Sequence, residues 1–139
     1  MSWRVDALCT GTVAPLDAKR RSAIRKTPAS GPVAIGALGL AGDEQADKRH
    51  HGGPDMAVHH YPHDHYAFWR ERLGGHPALD EAAAFGSNIV ATGLLEDDVL
   101  LGDRFRLGTA LLEACQPRQP CATIERRFDY RGMVAAILE

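Results

Sequence analysis

No stretch of this 139-residue chain approaches the ~20 consecutive apolar residues of a helical membrane span, so none is expected. Cysteine is scarce. Cys9, Cys115 and Cys121 make an odd number at no zinc-ligand spacing, which indicates neither a disulfide framework nor a structural zinc site. That usage fits a reducing, cytoplasmic setting. Charge of one sign is lacking too. A formal net charge of −2 gives no electrostatic reason to expect nucleic acid or a membrane surface as partner. The start, Met1-Ser2-Trp3-Arg4-Val5-Asp6, lacks the charged-then-apolar pattern of a secretory leader. There is no P-loop, no dinucleotide fingerprint and no Gly-x-Ser-x-Gly elbow, so nucleotide-binding and serine-hydrolase readings find no support. Internal repeats, low-complexity tracts and linkers are also missing.

What is present is ordinary globular material. With 45% hydrophobic and 24% charged residues the chain can bury a core, and its length predicts one domain over residues 1–139. Fourteen glycines and eight prolines favour short strands over long helices.

Periodicity places the elements. Trp3, Val5, Ala7 and Cys9 alternate with Arg4, Asp6 and Leu8, as in a half-buried strand. Residues 17–27 form a basic surface segment leading to Pro28. Val33, Ile35 and Leu38 suggest a second strand. A helix is predicted to start near Pro62, a residue suited to the first helical position. It carries Tyr66, Trp69 and Leu73 on one face and ends at Gly74-Gly75. A shorter helical segment follows Pro77 through Ala84, then a turn at Phe85-Gly86-Ser87-Asn88 and a strand over 88–91. Phe105 and Leu107 alternate with Arg104 and Arg106 before Gly108-Thr109, and an apolar run then leads to Cys115. Glycine first in a two-residue turn predicts a type II′ hairpin. Cys115, in that apolar strand, is expected to be structural. Ile124 and Phe128 suggest a last helical turn or two. Short strands with few short helices point to a mainly β, barrel-like domain.

The most telling segment is Gln116-Pro117-Arg118-Gln119-Pro120-Cys121. Two prolines stiffen the backbone and remove amide donors, so it reads as a loop at the end of the hairpin. Arg118 offers a planar fork for phosphate or another oxyanion. Cys121 offers a sulfur whose thiolate is favoured by nearby positive charge. The pairing suits a cofactor carrying both a phosphate and a soft metal. A Pro-rich turn with a partly buried cysteine would give the same letters.

Two further clusters stand out. Gly39-Leu40-Ala41-Gly42-Asp43-Glu44-Gln45-Ala46-Asp47 is a turn whose consecutive amides can cradle an anion, or simply a surface loop. His51-Gly52-Gly53 places an imidazole beside two glycines, where it is readily exposed to a cleft. His50, His51, His59, His60, His63 and His65 crowd into sixteen residues, but Pro62 interrupts any helical i, i+4 pair, so a solvated helix face is the expectation over a zinc site.

In order along the chain, Lys26-Thr27-Pro28, the 39–47 glycine turn, His51-Gly52-Gly53-Pro54-Asp55, Phe85-Gly86-Ser87-Asn88, Gly102-Asp103-Arg104 and Gln116 to Cys121 resemble the motifs of MOSC domains. The resemblance is closest to the bacterial branch associated with resistance to 6-N-hydroxylaminopurine, and it covers roughly residues 20–130. It implies a MOSC-type β-barrel that binds a molybdenum cofactor, a pterin (molybdopterin) bearing a dithiolene and a phosphate. Cys121 would be the metal ligand and catalytic centre, a thiolate suiting a soft metal. Arg118 and Lys26 would contact the pterin phosphate, with His51 and Asn88 lining the same cleft. The implied activity is reduction of N-hydroxylated bases or related N-oxygenated compounds. Electrons would come from a separate reductase, since nothing suggests a flavin or iron–sulfur site. Two other uses of the same thiol are open: a Cys121 persulfide handing on sulfur, or a non-enzymatic cofactor carrier. The chain departs from the family pattern at Ser87, where glutamate is usual, and at Met56, where lysine is common. Relatives of this branch also usually continue beyond the position of Glu139.

Overall fold

The protein is described here by a computed structural model covering residues 3–45, 53–117, 120 and 122–138. Among the described residues ten strands follow in order: β1 (Arg4–Thr10), β2 (Ala14–Pro15), β3 (Arg21–Ser22), β4 (Thr27–Pro28), β5 (Ile35–Gly36), β6 (Gly39–Leu40), β7 (His60–Pro62), β8 (Ile89–Thr92), β9 (Arg104–Leu107) and β10 (Ala110–Glu113). Three α-helices accompany them among the described residues: α1 (Tyr66–Leu73), α2 (Ala122–Phe128) and α3 (Met133–Leu138). Strands with a few short helices are the class the sequence predicts. Hydrogen bonding among the described residues forms one four-stranded sheet and three two-stranded ones, without closing them into a single ring.

The four-stranded sheet has the order β4-β1-β8-β7. β1 runs antiparallel to β4 and β8, and β7 runs parallel to β8. Ile89, Val90 and Ala91 are all buried, so both faces of β8 are covered. The register of β1 on β8 slips between Val5 and Ala7, a bulge at Asp6. Both outer strands end on proline, Pro28 in β4 and Pro62 in β7.

The core lies where the helices meet. Tyr66 and Trp69 of α1, Ile124 and Phe128 of α2 and Met133 of α3 close around Phe85, Leu79 and Ala84. Tyr61 stacks on Phe85 with ring centroids 4.2 Å apart and accepts a 2.8 Å hydrogen bond from the Trp69 indole. The predicted face of α1 is the one that packs. Its end follows the sequence as well: Gly74 adopts a left-handed φ of 68°, and the Gly75 amide donates to Arg70 O at 2.9 Å. The β9–β10 hairpin has positive φ only at Gly108 among its central residues, the II′ pattern.

Four local expectations need correction. Pro62 does not open a helix. It closes β7, and a 3₁₀ turn over His63–His65 follows before α1, because residues 60–62 are recruited to pair with β8. The segment after Pro77 is a 3₁₀ turn of Pro77–Asp80 only, since Ala83 is drawn into a bridge with Lys26. The strand expected from Val33 to Leu38 is reduced to the two-residue β5, which turns straight back into β6. Cys115 lies beyond β10, exposed, with Sγ 3.5 Å from Glu113 O, so it is not a packed strand residue.

Candidate functional site

Three motifs far apart in sequence meet at one carboxylate. The β5–β6 hairpin and the turn after Leu40 deliver Asp43 to the end of β1, where the Glu44 amide donates to Gly11 O at 2.9 Å. Asp43 Oδ1 accepts from Lys26 Nζ at 2.7 Å and from the Gly11 amide at 3.0 Å. Asp43 Oδ2 accepts from Asn88 Nδ2 at 3.0 Å, with Gln45 Nε2 more distant at 3.4 Å. The pair is buried, with 7% of the Lys26 side chain and 2% of the Asp43 side chain exposed. Removing two charges from water costs several kcal/mol per ion, so such a pair persists only when hydrogen bonds satisfy it, as they do here.

Gly11 is what lets the lysine through. A Cβ at position 11 would lie 2.6 Å from Arg25 O and 3.1 Å from Lys26 Cγ. Any side chain there would displace either the 23–26 segment or the lysine stem.

Asn88, at the mouth of β8, is used completely. Its Nδ2 donates to Cys9 O at 3.1 Å as well as to Asp43, and its Oδ1 accepts the His59 amide at 3.0 Å. A flipped amide would set its NH₂ against the His59 N–H, so these partners fix its orientation. Its backbone joins in: the Asn88 amide donates to His59 O at 2.8 Å and its carbonyl accepts from Cys9 N at 2.7 Å. One residue therefore ties β1, the approach to β7 and the 39–45 turn together.

Two buried groups border this network. Cys9 is sealed, and burial pushes its thiol above the ordinary value while the nearby Lys26 ammonium pulls partly back. Ser87 is fully buried and its hydroxyl has no hydrogen-bond partner among the described residues. The histidine cluster disperses. His60 Nε2 lies 3.0 Å from Leu94 O, and His65 lies 2.8 Å from Glu96 Oε2. Among the described residues no three His, Cys, Asp or Glu side chains converge on a metal-holding geometry.

Of the five residues singled out in the sequence, the structure brings Lys26 and Asn88 together. His51, Arg118 and Cys121 lie outside the described residues. Asp43 carries the junction, yet reading the chain gave it no role of its own. The available signal was an aspartate just past a glycine turn, and nothing in that pattern names its partners. No helix among the described residues is long and apolar enough to cross a membrane.

The MOSC domain profile matches residues 47–139, and the chain belongs to that family. It is 43% identical over 129 residues to Protein YiiM of Escherichia coli (strain K12), covering 93% of this chain and 57% of that protein. A protein of Gibberella moniliformis named Reductase is 42% identical over 110 residues, covering 78% of this chain and 19% of that one. The crystal structure of YiiM from Geobacillus stearothermophilus superposes with a TM-score of 0.75 at 33% identity, over 98% of this chain and 62% of that one. The chain thus spans little more than half the length of its bacterial relatives. These likenesses agree with the resemblance to the 6-N-hydroxylaminopurine resistance branch.

Proposed function

We propose that this chain is the cofactor-holding part of a molybdenum-dependent reductase acting on N-hydroxylated bases or related N-oxygenated small molecules. The observation that carries the reading is the convergence of Lys26 and Asn88, from two separate MOSC motifs, on one buried carboxylate. Membership of the family and a relative named as a reductase support it.

The donor set suits an anionic cofactor with a soft metal. An ammonium has three N–H donors, and the 2.7 Å contact with Asp43 engages one of them. Lys26 can therefore serve a phosphate without giving up its buried partner. Arg118 would add a bidentate fork to the same phosphate. Cys121 would hold the metal as a thiolate, and His51 would line the cleft. Asn88 acts by keeping β1, the His59 segment and the Asp43 turn in register beneath the site. When bound, the molybdenum cofactor would supply two-electron removal of oxygen from an N–O group. The protein supplies orientation and charge, while a separate reductase supplies electrons.

Elemental analysis of protein made in a cofactor-producing host tests this directly. Molybdenum near one per chain, abolished by Cys121→Ala, together with turnover of 6-N-hydroxylaminopurine under a supplied reductant, is the expected result. Fully loaded protein that reduces no N–O bond with any competent donor would sink the reductase reading. A persulfide on Cys121 without molybdenum would move the assignment to sulfur transfer.

A further inference from the structure

We infer that Asp43 is a positioning residue for the site: it sets the Lys26 ammonium and the Asn88 amide, and touches no ligand itself. This deepens the reading above and rests on it for the part that concerns the cofactor. The carboxylate is close to its full hydrogen-bonding capacity. Two oxygens offer about four acceptor positions. Lys26, Gly11 and Asn88 take three at 2.7, 3.0 and 3.0 Å, and Gln45 approaches the fourth at 3.4 Å. With 2% of its side chain exposed, Asp43 has neither room nor lone pairs for a ligand donor. Its effect must pass through the groups it holds.

Lysine is the group that most needs holding. Its four-carbon stem is flexible, and an unpinned ammonium would sample many rotamers. Here the stem runs across Gly11, where no Cβ stands in its way, and its end is fixed on Oδ1. The same carboxylate fixes Asn88 through Oδ2, so one residue sets two of the motifs. Charge makes the idea testable. Removing the carboxylate raises the local positive charge, so attraction alone predicts tighter anion retention in Asp43→Asn. Positioning predicts the reverse.

The experiment compares molybdenum per folded chain in wild type, Asp43→Asn, Lys26→Met and the double variant, all made in a cofactor-producing host. Asp43→Asn should retain roughly tenfold less, as expected when a charge-assisted contact is misplaced. The double variant should lose clearly less than the product of the two single losses, because Asp43 works in part through Lys26. Equal or greater retention by Asp43→Asn, or multiplied losses in the double variant, overturns the inference.

A second measurement uses the unaltered protein and guards against variants that fail to fold. Acetylation by an amine-reactive ester, read by peptide mass spectrometry, should modify the exposed Lys19 at least about tenfold faster than the pinned Lys26. Matching rates would remove the pin. Wild-type protein devoid of molybdenum but with Lys26 protected would defeat the cofactor reading and leave the positioning of Lys26 standing.

Discussion

Lys26–Asp43 and Arg104–Glu113 are both ion pairs of ordinary length, 2.7 and 3.1 Å, yet they sit in opposite surroundings. The first is enclosed and shares its carboxylate with Gly11 and Asn88, whereas the second rides on the outer face of the β9–β10 hairpin with 66% and 49% of its side chains exposed. Water decides what each pair contributes. On the hairpin, solvent screens the attraction and two mobile side chains lose freedom to make it. At Asp43 solvent is largely excluded, so the loss of either partner leaves a charge poorly hydrated.

The sharpest way to break this contrast is to remove the buried cation. Lys26→Met should destabilise the protein by roughly 3–5 kcal/mol, measured as a shift in urea midpoint at constant m-value. A loss below about 1 kcal/mol would mean that the Asp43 carboxylate finds water, and the contrast would collapse. Next in size is Asn88→Ala. It deletes three side-chain hydrogen bonds and leaves the His59 amide and the Asp43 oxygen short of a partner, for an expected cost of about 3 kcal/mol.

A pH experiment sharpens the comparison from the core side. The Tyr66 hydroxyl donates to Ala82 O at 2.8 Å and accepts the Ala84 amide at 3.2 Å, fixing the segment that leads to Asn88. Burial is the main cause that pushes its phenol from the ordinary 10 up to about 12. The folded state therefore favours the protonated phenol, and this stabilisation is full below pH 10 and drains away as pH rises toward 12. Over that window wild type should lose on the order of 2 kcal/mol more than Tyr66→Phe. Tyr61, also raised to about 12 mainly by burial, keeps a similar slope in both proteins. Parallel pH profiles would show that the hydroxyl is already wet. The smallest effect belongs to the exposed pair: Arg104→Ala should change stability by less than about 1 kcal/mol, and added salt should erase the difference.

The same division explains what could be read from the letters. The hairpin was legible because its information is local: alternation across Arg104–Leu107, a Gly-x turn, and partners nine residues apart. The face and the glycine end of α1 were legible for the same reason. At the site, residue choice was readable while partnership was not. Lys26 and Asn88 stood out within their motifs, but the carboxylate joining them lies 17 and 45 residues away, and only the tertiary fold says so. The strand over His60–Pro62 was hidden because a histidine run before a proline looks like a helix start, until pairing with β8 overrides that preference. Ala83 was misread in the same way, its helical preference yielding to the bridge with Lys26. Helix α3 went unread because Met133-Val134-Ala135-Ala136-Ile137-Leu138 carries no capping signal, and its register comes from packing against the core.

The prolines that end both outer strands have one more consequence. The Ala29 amide points inward to Leu8 O, so the ring nitrogen of its neighbour Pro28 faces outward by the alternation of a strand. At that flank an approaching chain meets a nitrogen with no hydrogen to share, and at the opposite flank Pro62 stops β7 after three residues. An added strand would find fewer donors along these flanks, a feature built from the same Lys-Thr-Pro triplet that delivers the lysine to its carboxylate.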